Sequence, residues 1–122
     1  MSEKLDRFVP DLLEKTRANK LHWEEHSNPV GGEEYLLPDV GDGYSFRIWR
    51  RISGENRKIT LRLQHSGRPT LDETVNNWPP LTGPDMVSRF RLYSDLFDAV
   101  RENVYGKDET LEKVEQLLRK IG

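Results

Sequence analysis

The sharpest chemical string in the sequence is His22-Trp23-Glu24-Glu25-His26. It matches the bare H-x-x-E-H spacing of the inverted zinc peptidases, where two imidazoles and a carboxylate converge on one metal from a single helix. The flanking residues here oppose a helix. Leu21 and Trp23 alternate with His22 and Glu24 as in a short strand, and Ser27-Asn28-Pro29 follows at once. On a strand, His22 and His26 share a face but stand about 13 Å apart, beyond the joint reach of one zinc ion. The string is read as a half-buried strand, and no metal site is expected. Asp39 and Asp42 bracket Gly41 as a calcium loop might, but the oxygen ligands and closing glutamate that such a loop needs do not follow, so a turn is expected.

Other catalytic patterns are equally thin. No glycine-rich phosphate cradle is present, and no G-x-S-x-G elbow. His65 and Ser66 are adjacent on a strand end, where neighbouring side chains point apart and cannot act as base and nucleophile. The acid pairs Glu24-Glu25 and Glu33-Glu34 read as surface charge, because acid/base pairs need a cleft that separates their pKa values. No catalytic centre and no cofactor are expected. An enzyme whose site is assembled from scattered residues stays open as an alternative.

One constellation carries a positive reading. Between Tyr44 and Arg68 stand seven basic residues and a single acid, Glu55. If this stretch is a pleated hairpin, Arg47, Trp49 and Arg51 project from one strand on the same side as Lys58, Thr60, Arg62 and Gln64 from the next. Such a face could dock an acidic protein surface, with Trp49 as anchor and arginines around it. It could serve self-association as a homodimer, or stack and neutralise single-stranded nucleic acid. Trp78, in the proline-stiffened Asn77-Trp78-Pro79-Pro80, is a further candidate contact. The expectation is a non-enzymatic binding module with a protein partner, such as a small regulator, adaptor or immunity-type protein. Nucleic-acid binding is the alternative.

The elements that must position this face follow from periodicity. Leu5, Phe8, Val9, Leu12, Leu13 and Thr16 form an apolar helical stripe that Pro10 interrupts and Asn19 stops. Glu34 to Leu37 predicts a strand closed by Pro38. Tyr44 to Ile52 and Ile59 to Leu63 alternate apolar and polar around a four-residue turn at 53–56 and predict an antiparallel hairpin. Residues 66–81 are irregular: a weak edge strand at Leu71–Val75, or a long loop. Thr82 and Asp85 stand as in a capping box, with Leu81 and Met86 as a hydrophobic staple. They open a helix striped by Met86, Phe90, Tyr93, Phe97, Val100 and Val104. After Gly106 a third helix carries Leu111, Val114, Leu117, Leu118 and Ile121. Strands and helices are segregated, which predicts one α+β domain over residues 1–122. In it a three- or four-stranded antiparallel meander packs against the N-terminal helix and a C-terminal helical pair.

Composition sets the outer limits. The chain has 122 residues, a size for one domain. Net charge is −2, with 33% charged residues, which opposes a general nucleic-acid binder. There are no cysteines, so disulfides and thiolate chemistry are excluded. Residues 1–19 are too charged for a signal-peptide core, and no run suits a bilayer, so a cytoplasmic protein without membrane association is expected.

The layout resembles a loose group of small prokaryotic and phage-associated proteins. The likeness rests on Lys20-Leu21-His22-Trp23-Glu24, Leu92-Tyr93-Ser94-Asp95-Leu96-Phe97 and Gly106-Lys107-Asp108-Glu109. It implies a bacterial or phage origin and an α+β fold, and transfers no activity or functional residue.

Overall fold

Alternating side chains over two ten-residue strands build the centre of the molecule. The computed structural model describes residues 4–26, 32–77, 83–106 and 108–121. Strand β3 (Tyr44–Ser53) pairs with β4 (Asn56–His65) without a break in register, from Tyr44 opposite His65 to Ser53 opposite Asn56. Three further strands flank them: β1 (Glu24–His26), β2 (Glu33–Gly41) and β5 (Arg68–Asn76). All neighbours are antiparallel and follow chain order, β1-β2-β3-β4-β5. The sheet is a meander of five strands rather than three or four.

The stretch with the broken pattern takes the edge-strand alternative, as β5, and extends it at both ends beyond Leu71–Val75. Its core-side positions run Leu71, Glu73 and Val75. Glu73 takes an apolar place because Arg89 meets its carboxylate at 2.9 Å. Pro69 is tolerated near the start of an edge strand, where a missing N–H breaks little. Strand β2 likewise continues through Pro38. Beyond Leu37 its register with β3 is irregular, and β1 pairs only as far as Leu36, so the proline interrupts no ladder. Strand β1 begins at Glu24, later than the alternation from Leu21 suggests.

Hairpin loops are two residues long throughout β2 to β5. Asp42-Gly43 and Ser66-Gly67 both have positive φ at each position (+53° and +82°, +52° and +80°), the type I′ geometry that matches strand twist. The β3–β4 loop is Gly54-Glu55, because Ser53 and Asn56 pair with each other, so the four-residue turn is shorter than expected. A Cβ on Gly67 would meet nothing within 4 Å, so its cost is conformational alone. Gly67→Ala is expected to destabilise by about 1–2 kcal/mol, read from urea midpoints at unchanged m-value.

Two helices cover one face of the sheet. A 3-10 turn at Asp6–Phe8 leads into α1 (Val9–Arg17), with Pro10 in its first turn, where no N–H is needed. Asn19 adopts φ +57° just past its end. Helix α2 (Pro84–Tyr105) is 22 residues long. Leu5, Val9 and Leu12 meet Tyr93, Leu96, Phe97 and Val100 over Tyr35, Leu37, Phe46, Ile48, Ile59, Leu61 and Val75. Met86 belongs to the expected stripe but is 52% exposed, because the buried part of α2 starts further along, at Tyr93. Leu81 and Thr82 of the expected cap lie outside the described residues. Helix α3 (Asp108–Ile121) is not packed on the sheet as one of a helical pair: every side chain from Leu111 to Ile121 is exposed.

Polar ties fix the helices to the strands. Trp23 is fully buried, its indole Nε1–H donates to Thr16 Oγ1 at 3.0 Å, and its backbone N–H donates to Asn103 Oδ1 at 3.0 Å. The Asn103 amide donates in turn to Leu21 O at 2.9 Å and lies 3.4 Å from Thr16 O. At the other end of α2, Arg89 bonds Asp6 at 2.7 Å and Glu73 at 2.9 Å, and the Tyr93 hydroxyl donates to Asp6.

Candidate functional site

The register decides which side chains share the sheet's other face, away from α1 and α2. Arg47 lies opposite Arg62, Trp49 opposite Thr60, and Arg51 opposite Lys58. Those five expected contact residues therefore project from one face, together with Thr60 and Gln64. Trp78 lies outside the described residues. The neighbouring strands extend the same face: Glu34 is opposite Trp49 on β2, and Asp72 is opposite Arg62 on β5.

Those neighbours change the electrostatics. Asp72 accepts both guanidinium contacts of Arg62, at 2.7 and 2.9 Å, in a bidentate pair. The same guanidinium lies over the Trp49 ring, 5.0 Å from its centroid. Hydrogen bonding to Asp72 holds the Arg62 pKa above its ordinary value. Glu34, whose side chain is 12% exposed, sits between Arg47 at 3.5 Å and His26 at 3.3 Å. Arg47 Nε is nevertheless buried without a hydrogen-bond partner. The Thr60 and Thr74 hydroxyls are 2.9 Å apart, and Ser45 Oγ is 3.4 Å from Gln64 Oε1.

The face therefore divides into two regions. Around Arg47 and Arg62 the cations are neutralised, contrary to the uniformly free basic surface that the hairpin alone suggests. Toward the β3–β4 loop, Arg51 and Lys58 are exposed, and no carboxylate among the described residues comes within ion-pair distance of either. Ile52, 55% exposed at the end of β3, projects from the opposite face of the sheet. The sequence signal for this division was available in Glu34 and Asp72, but it needs the cross-strand register before it can be read.

Most residues of the motifs set aside above make structural contacts. His22 is exposed, and His26 faces Glu34 rather than His22. Among the described residues no three histidine or acidic side chains gather as a metal site would need. Asp39 Oδ1 accepts the Gly41 N–H at 2.7 Å, an Asx turn. His65 Nε2 is 3.1 Å from Asp42 O, and its ring lies against Tyr44 with centroids 4.4 Å apart. Ser66 belongs to the β4–β5 turn, and its N–H bonds Gly43 O. A cleft of about 350 Å³ opens where α1 and α2 end, lined by Thr16, Arg17, Asn19, Ala99, Glu102, Asn103 and Gly106. His22, Glu24 and His65 do not line it, and its Asn103 and Thr16 are engaged in holding Trp23.

A second charged group lies on the helix side of the sheet. Glu33 accepts from the Tyr35 hydroxyl at 2.8 Å, with Arg50 at 3.3 Å and Arg101 at 2.7 Å. Arg50 also stacks on Phe97, 4.5 Å from the ring centroid. These contacts join β2, β3 and α2.

No helix among the described residues is long and apolar enough to cross a membrane. Comparison with family models, with curated proteins and with solved structures finds no match to this chain.

Proposed function

We propose that the chain is a non-enzymatic binding module, of the regulator, adaptor or immunity type, that docks an acidic protein surface on the open face of its sheet. The observation that carries this reading is the step from a held aromatic to free cations. Trp49 is fixed beneath Arg62, while Arg51 and Lys58, on the same face, have no acidic partner among the described residues. A tryptophan among arginines supplies apolar contact area and directional donors together, the usual composition of an interface hot spot. Glu34 and Asp72 on the same face disfavour a phosphate backbone, which would have to run past two carboxylates. The cytoplasm is the setting this proposal assumes.

The test is cross-linked capture from the native host at moderate salt. The bait carries Trp49→Ala or the pair Arg51→Glu with Lys58→Glu, and Lys15→Glu on α1 serves as control. A tenfold or greater loss of one captured protein with both face variants, and none with the control, is the expected result. Capture that ignores the face variants rejects the proposal. Binding of single-stranded oligonucleotide that falls steeply with salt assigns the face to nucleic acid instead.

A further inference from the structure

We infer that the cleft at the ends of α1 and α2 binds a free amino acid, its ammonium held by Glu102 and its carboxylate by Arg17. Every residue lining the cleft comes from the two helices or the residues that end them, so the inference is independent of the open sheet face. Asp6 meets Arg89 near the start of both helices, and Asn103 Nδ2 lies 3.4 Å from Thr16 O near their ends. The helices therefore run parallel, and their negative dipole ends fall side by side at this cleft. Lys15 and Arg17 stand in the last turn of α1, as its dipole favours, but the last turn of α2 holds no basic residue. It holds Glu102 instead, a carboxylate where a cation is the stabilising group.

The two walls carry opposite charges that do not meet. Arg17 and Glu102 both line the cleft and both are exposed. Neither has an ion-pair partner among the described residues, and they do not pair with each other. One space that keeps a cation and an anion apart is complementary to a ligand carrying both charges. Its volume of about 350 Å³ is at the low end for small-molecule sites, which suits an amino acid. Between the charges the floor is polar and already fixed. Asn103 is held by the Trp23 N–H and Leu21 O, and Thr16 Oγ1 by the Trp23 indole. Asn19 lies 3.5 Å from Asn103 and keeps further donors and acceptors for a ligand. Among the described lining residues only Ala99 has an apolar side chain, which favours an amino acid that is short or polar.

Amide chemical shifts of the full chain, titrated with L-serine, L-alanine and L-glutamine, test this. The expected result is saturable binding of at least one of them at millimolar concentration or below, with the shifts centred on Asn19, Ala99, Asn103 and Gly106. Ethylammonium chloride and sodium acetate each carry one of the two charges and are expected to bind about tenfold more weakly or worse. Glu102→Gln and Arg17→Gln, both at exposed positions, are each expected to weaken amino-acid binding by about tenfold or more. Asp11→Asn, an exposed acid at the other end of α1, is expected to leave it unchanged. The dispersion of the same spectra reports that each variant is folded. No saturable shift with any of the three amino acids, shifts centred away from the cleft, equal binding of ethylammonium or acetate, or binding that survives both charge changes each overturns the inference. Arg51→Glu with Lys58→Glu is expected to bind the amino acid as the wild type does, so failure here and failure of the sheet-face reading are told apart.

Discussion

Asn103→Ala is expected to lower stability by about 3 kcal/mol or more, and the melting temperature by roughly 12 °C for a chain of this length. The side chain is 8% exposed and faces groups that have no other use for their polarity. Truncation strands the Trp23 N–H, which loses its acceptor, and Leu21 O, which loses its donor. Each buried orphan costs about 1–3 kcal/mol, well above the value of an ordinary exchanged hydrogen bond. Trp23 then loses the restraint that seats it against Thr16, and with it the link between α1, α2 and the entry to β1. Glu102→Ala, one residue away and exposed, is the control, expected within about 0.5 kcal/mol of wild type. Chemical denaturation of both variants decides the matter. A loss below about 1 kcal/mol in Asn103→Ala would mean that water replaces the amide freely, and the clamp would be a description without energy.

Alkaline pH is expected to remove stability in the range where tyrosine ionises. Tyr35 and Tyr93 are both fully buried. Burial is the first cause that pushes each phenol well above its ordinary pKa. Hydrogen bonding adds to it, from Tyr105 and Glu33 around Tyr35 and from Asp6 beside Tyr93. The unfolded chain releases these protons near pH 10 and the folded chain keeps them. The contribution is therefore intact below pH 10 and is lost as pH rises above it. For two such groups the loss between pH 10 and 11 is about 2 kcal/mol, approaching about 2.7 kcal/mol per unit beyond. Urea titrations at pH 9, 10 and 11 measure this slope. The double variant Tyr35→Phe with Tyr93→Phe is expected to flatten it. A slope that survives that double change would place the alkaline sensitivity elsewhere.

Residues whose pattern answers to one neighbour are readable from sequence, and residues that answer to two are not. Tyr44 to Leu63 alternates cleanly because one side meets the core and the other does not, so the central hairpin and its shared faces follow directly. Strand β5 is obscured because Glu73 occupies a core-side position, and only Arg89, sixteen residues on, makes that acceptable. The short length of β1 is hidden because Trp23 takes its place from Asn103, eighty residues away, and not from a strand partner. The same limit governs the candidate site. Its cations were visible as a run, whereas their neutralisation depends on Glu34 and Asp72 from the outer strands. Helix α3 is legible as an amphipathic segment, but periodicity gives the existence of an apolar stripe and not what covers it.

Asp72 also reaches further than its own ion pair. By holding Arg62 in a bidentate grip while that guanidinium lies over Trp49, it limits the rotamers open to the indole before anything approaches. An aromatic ring that is already still gives up little conformational entropy on being covered. Arg51 and Lys58 keep their full freedom and must surrender it on contact. One half of the face is thus shaped in advance and the other conforms on arrival, so a carboxylate that points at no outside molecule helps set how tightly one is held.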